Sequence, residues 1–270
     1  MPPEGHQMAL LSDDRYLEAL ITQSAQFAEA LRGADLQQQV PTCPQWSLYR
    51  LTEHLGQAHR MATAIIVQRA TAPVDPRELG AAQAPDDPGD PAELGHWLRS
   101  GASELVDAIR EIGPHTPVWS FLDDCRVAFW ARRMAHETAV HRADVELTQG
   151  RDFRLDPDLA ADAISEWLHL LCSPQALEHR PELAALRGDG QLLHLHSTDN
   201  GLAEAGEWIV RRTPSGPVWE HGHAKGDVAV RGAAVDLLLV IMRRVTPREA
   251  KVEVLGDPAV LEHWLAHTAF

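Results

Sequence analysis

The period of the apolar residues changes once along this chain, and that change limits its fold more than any other feature. Up to about Cys172 the apolar positions recur at helical spacing, and beyond Gly190 they gather into short strand-like runs. Tyr16, Leu17, Leu20, Ile21, Phe27 and Leu31 trace a first helix that starts at Ser12 or Asp13 and stops at Gly33. Leu48, Leu51, Leu55, Ala58, Ala62 and Ile65 trace a second, capped by Ser47 and running to about Arg69. Further helices are predicted over 92–113, 127–149 and 157–171, with Asp156 placed to cap the last. Residues 40–44 read as a loop and 174–190 as irregular chain. The proline-rich stretch 71–91 reads as a mobile connection. Strands are predicted at 192–197, 207–212, 218–220, 227–231 and 251–255, with helices over 233–244 and 258–267. The pattern predicts an α+β protein. A helical domain over 1–175 precedes a small α+β domain over 188–270, with the boundary between Cys172 and Gly190.

A chain of 270 residues, 44% of them hydrophobic, can bury a real core. Lysine and arginine number 24 against 39 acidic residues, a formal charge of -15. That excess argues against nucleic acid or an anionic membrane as a main partner, because nothing offsets phosphate repulsion. Cys43, Cys125 and Cys172 are odd in number and widely spaced, so no disulfide framework follows and a reducing cytoplasm is expected. The first residues carry no signal-peptide pattern, and no run is apolar for long enough to span a bilayer. Oligomeric state is not readable from the sequence.

Chemistry concentrates in the second and fourth helices. Glu137 and His141 lie four apart, a rotation of roughly 40° about a helix axis, so both side chains point the same way. His136 and His141 are five apart, roughly 140°, and cannot chelate from one face, which rules out a zincin HExxH site. Trp130, Met134, Glu137, Val140, His141, Asp144 and Val145 form one stripe, within which Glu137, His141 and Asp144 are the polar members. A buried carboxylate is costly unless paired or bound to a metal. His54 stands among Leu51, Leu55, Ala58 and Met61 on the second helix and completes a three-ligand zinc site with a fourth position open. Asp144, one turn beyond His141, could hold an imidazole in its metal-binding tautomer. Spacing alone leaves two competitors open: a packed core histidine, and a surface Glu/His pair. Arg142 and Arg133 flank the site as candidates for an anionic substrate or for salt bridges. His59, His115, His136, His169, His179 and His263 read as surface or packing residues. His194 and His196 alternate with Leu193 and Leu195, but no third ligand is apparent, so strand packing is the reading there.

The opening Trp46-Ser47 with His54-Leu55-Gly56, followed by 136–144 (His136-Glu137-Thr138-Ala139-Val140-His141-Arg142-Ala143-Asp144), resembles the mycothiol-dependent maleylpyruvate isomerase family. Residues 193–199, Gly206-Glu207-Trp208 and Arg231-Gly232-Ala233 leading to 236–239 match in kind, so the resemblance spans nearly the whole chain. It implies a DinB-like four-helix bundle followed by a C-terminal α+β domain. It also implies a metal triad of His54, Glu137 and His141, with zinc or another divalent ion, and mycothiol as thiol cofactor or cosubstrate. The implied reaction is isomerisation or S-transfer, a metal-activated thiolate attacking a small electrophile, with Arg142 orienting a substrate carboxylate and Asp144 supporting the catalytic site. A zinc hydrolase on the same triad and a non-catalytic binding or regulatory relative are the alternatives.

Overall fold

The computed structural model describes residues 11–75, 83–85 and 90–268. The chain forms two compact units, Ser12–Phe153 and the chain from Arg154 onward.

Four long helices build the first unit: α1 (Asp13–Ala30), α2 (Leu48–Val67), α3 (Pro91–Ile112) and α4 (Val127–Thr148). Their starts are fixed locally. Ser12 Oγ accepts from Arg15 N–H, Ser47 Oγ from Arg50 N–H and the Asp90 carboxylate from Ala92 N–H, each satisfying a donor left free in a first turn. Gly113, at a φ of 89°, ends α3 in a conformation that suits glycine. The α4 helix is buried on nearly every side, including Trp130, Ala131, Ala135, Thr138, Ala139 and Ala143, so it is the central rod of the bundle and not a one-stripe surface helix. A short antiparallel hairpin, β1 (Gln39–Val40) and β2 (Cys43–Ser47), stands where a loop is expected. It leads directly into α2: Leu48 N–H donates to Gln38 O and Tyr49 N–H to Leu36 O, so the stem satisfies the first free donors of the helix. Within the expected mobile connection, residues 84 and 85 make contacts with the unit. Ala84 is buried and Tyr49 donates its hydroxyl to Pro85 O at 3.0 Å. Residues 76–82 and 86–89 of that stretch lie outside the described residues.

The second unit begins with α5 (Pro157–Cys172), α6 (Pro174–His179) and a 3-10 turn at Pro181–Leu186, where irregular chain is expected. Asp156 stands at the N-cap of α5, although its side chain makes no capping bond. Then follow β3 (Leu192–Ser197), β4 (Glu207–Thr213), β5 (Gly216–His221), β6 (Val228–Gly232), α7 (Ala234–Ile241), β7 (Glu253–Gly256) and α8 (Pro258–His267). The five strands order as β5-β4-β3-β6-β7, antiparallel except for the β3–β6 pair. Leu193, Leu195, Trp208, Val210, Val228 and Val230 lie on one sheet face. They form a single core with Ile164, Trp167 and Leu168 of α5, Leu237 and Ile241 of α7, and Trp264 of α8. Trp208 Nε1 donates to Ser165 Oγ at 2.9 Å across that core. These contacts place α5 in the C-terminal unit, so the division falls at 153/154 and not between Cys172 and Gly190. Helical period alone groups α5 with the bundle; its packing partners, distant in sequence, assign it otherwise. Among the described residues no helix is long and apolar enough to cross a membrane.

Candidate metal centre

The bundle brings His54, Glu137 and His141 together. One donor atom from each lies within 4.8 Å of the others. Glu137 Oε1 is 3.3 Å from His54 Nε2 and 3.4 Å from His141 Nε2, and the two rings meet edge to face at 5.4 Å between centroids. Glu137 ion-pairs through Oε2 with Arg133, one turn earlier on α4, which leaves Oε1 turned to both imidazoles. His141 is nearly buried and His54 keeps 41% of its side-chain exposure, so the site meets solvent along the His54 edge.

Asp144 decides the protonation pattern. It is fully buried, and its Oδ2 lies 2.8 Å from His141 Nδ1. The Asp144 carboxylate accepts from Nδ1–H, so the tautomer it favours in a neutral His141 is the one that offers Nε2 to a metal. His141 Nε2 faces Glu137 Oε1 at 3.4 Å, a pairing that either a proton on Nε2 or a cation shared by both atoms satisfies. The donor set therefore fits a divalent ion: two imidazole nitrogens and one carboxylate oxygen. Burial depresses the pKa of His54 to about 4, and any charge on His141 and that of Arg133 push in the same direction, so the His54 ring is neutral and able to ligate at neutral pH.

The sequence reading missed Thr42, took Cys43 only as a widely spaced thiol and Trp46 only as part of the resemblance. The hairpin sets Thr42 Oγ1 2.6 Å from Asp144 Oδ1 and Cys43 Sγ 4.0 Å from Oδ2, so Asp144 is held by the same strand connection that precedes α2. Trp46, one residue before the Ser47 cap, stacks at a tilt on His54 at 4.7 Å and reaches His141 at 6.3 Å. Its place immediately ahead of the helix that carries His54 was the available signal.

Arg142 is placed elsewhere. It is buried, donates to Gln26 of α1, pairs with Glu146 at 3.4 Å and lies over the Phe153 ring at 4.4 Å. None of these is a triad residue, and a rotation of roughly 100° per residue turns position 142 away from position 141. Arg133 is a cation that pairs with a member of the triad, Glu137. Among the other histidines, His59 and His136 are buried packing residues, whereas His115, His169 and His179 are exposed.

The family model described as "Mycothiol maleylpyruvate isomerase N-terminal domain" matches residues 17–146, and that described as "MDMPI C-terminal domain" matches residues 158–263. Among solved structures the chain is similar to the mycothiol-dependent maleylpyruvate isomerase, with 12% identity, a TM-score of 0.56, and coverage of 92% of this chain and 95% of that one. A mutant of that enzyme carrying alanine in place of a histidine matches with the same values. At this identity the likeness speaks for the fold. Comparison with curated proteins gave no match. With one family domain on the bundle and the other on the sheet unit, the chain belongs to the mycothiol-dependent maleylpyruvate isomerase family.

Proposed function

We propose that this chain is a metal-dependent, mycothiol-using isomerase or S-transferase in which His54, Glu137 and His141 hold a divalent cation, zinc by the preference of its donors. The single observation that carries this reading is the convergence of His54, Glu137 and His141, with one ligand atom from each within 4.8 Å of the others. When bound, the cation supplies Lewis acidity that favours the thiolate form of a thiol at neutral pH. The rest falls to the chain. Asp144 keeps the proton on His141 Nδ1, and Arg133 fixes the Glu137 carboxylate. Trp46 lays an apolar face along both rings and limits water there. The exposed edge of His54 admits a small electrophile.

For a cis α,β-unsaturated keto acid, addition of the sulfur turns the double bond into a single one, and rotation followed by loss of the same sulfur yields the trans isomer. One C–S bond forms and breaks, and the thiol is returned. An electrophile with its own leaving group gives S-transfer on the same residues. Chelating the metal, or making His141→Ala, should lower mycothiol-dependent turnover of maleylpyruvate or activated electrophiles by at least ~100-fold. Turnover unchanged by either treatment contradicts the reading, as does full activity with no thiol added.

A further inference from the structure

The C-terminal unit carries a second constellation, built on its sheet. His194 and His196 lie two apart on β3 and therefore share the face opposite Leu193 and Leu195. The antiparallel register sets Glu207, the first residue of β4, directly across from His196. Gly222 ends β5 at a φ of 150°, donates its N–H to Glu207 O at 3.2 Å, and the chain then delivers His223 to the same carboxylate. Glu207 Oε2 lies 2.6 Å from His194 Nε2, and Oε1 lies 2.7 Å from His196 Nδ1 and 3.3 Å from His223 Nδ1. Donor atoms of all four residues fall within 4.8 Å of one another.

We propose that His194, His196, Glu207 and His223 form a second metal site, for a divalent first-row transition ion with zinc preferred, independent of the bundle triad. Imidazoles bound to one zinc at ~2.0–2.1 Å in a tetrahedron have ring centroids roughly 5 Å apart. The three pairs of rings here are separated by 4.8, 5.9 and 6.0 Å, with interplanar angles of 88°, 79° and 74°. The rings thus fan around a common point and do not stack. Three ligands sit on paired strands of fixed register, and the loop that follows β5 brings in the fourth, His223. Arg231, which pairs with His196 across β3 and β6, turns its guanidinium to Glu253 at 3.1 Å and does not serve as counter-charge to Glu207. Four protein donors complete a tetrahedral shell, which makes this a closed, structural type of site. It ties β3, β4 and the end of β5 together. The sequence offered His194 and His196 as a pair without a partner; strand register supplies Glu207, and the chain that follows β5 supplies His223.

The test is metal stoichiometry of the untagged, metal-stripped full chain, titrated with zinc chloride and with cobalt chloride. Wild type should bind two equivalents, and His54→Ala/His141→Ala should retain one. His196→Ala/His223→Ala should lose one equivalent in either background. His223 is 72% exposed, so His223→Ala alone leaves the fold undisturbed and should still weaken one of the two equivalents by at least ~10-fold. Stoichiometry and affinity unchanged in the His196→Ala/His223→Ala chain overturn the proposal, with Glu207 then serving only as the acceptor of a hydrogen-bonded histidine network. Because the bundle variant is measured separately, failure of the triad to bind metal leaves this outcome readable.

Discussion

At the scale of single residues, the bundle site depends on which nitrogen carries a proton. Asp144 sets that choice for His141, and replacing it by Asn keeps the shape while removing the charge that demands a donor at Nδ1. Asp144→Asn should therefore lower metal affinity by about 10–100-fold with the helical signal intact, as read by competition against a chelator. Equal affinity would show that Asp144 is mere packing. His59 gives a pH prediction. Burial, reinforced by the neighbouring Arg60, depresses its pKa from 6.5 to about 3, and its Nε2 lies 2.8 Å from Thr138 Oγ1. Between those two values the unfolded chain binds the proton and the folded chain does not, so stability is full above pH 6.5 and falls as the pH drops toward 3. In metal-free protein, His59→Gln should flatten the acid limb of stability against pH by up to ~1.4 kcal/mol per pH unit, measured by urea unfolding. Parallel curves for the two proteins would remove His59 from the acid response. The triad was legible because helical phase puts Glu137 and His141 on one side. Arg133 and Arg142 were weighed together because both flank the pair in sequence, although the same helical phase puts Arg133, four residues before Glu137, on its side and turns Arg142 away from His141.

At the scale of elements, close approach of α2 and α3 positions His54. A Cβ at Gly56 would lie 2.0 Å from a Trp97 ring carbon, and Arg60 lies over the same ring, 4.2 Å from its centroid. Helix propensity favours Gly56→Ala by ~1 kcal/mol, whereas overpacking costs ~1–3 kcal/mol. The contact should win. We expect Gly56→Ala to lower the unfolding midpoint and, by shifting the turn that holds His54, to weaken metal binding. A stabilised variant would mean that Trp97 moves aside freely. The helices were readable because caps and apolar spacing agree, as at Ser12, Ser47 and Asp90. The β1–β2 hairpin was not: Cys43-Pro44-Gln45-Trp46-Ser47 shows no alternation and contains a proline, and its pairing is an effect of tertiary packing.

At the scale of the whole molecule, the division at 153/154 is a statement about which core owns α5. Trp167, Leu168 and Leu171 are buried with the sheet residues Leu193, Leu195 and Trp208. A fragment starting at Arg154 should fold cooperatively, whereas one starting at residue 188 lacks α5 and should be insoluble or molten, as judged by thermal unfolding and near-ultraviolet circular dichroism. Cooperative folding of the shorter fragment would return α5 to the bundle. The order of elements was legible in the periodicity, but Glu207 opposite His196 was not, because register belongs to the folded sheet. The acidic balance of -15 likewise acts on partners and not on the fold.

The most direct test of the bundle site is the visible and near-ultraviolet spectrum of the cobalt-loaded His196→Ala/His223→Ala chain as mycothiol is added. The account predicts one bound cobalt and a sulfur-to-cobalt charge-transfer band that saturates with mycothiol and is absent from the same chain carrying His54→Ala. A spectrum that mycothiol leaves unchanged, or cobalt bound undiminished without His54, would contradict it.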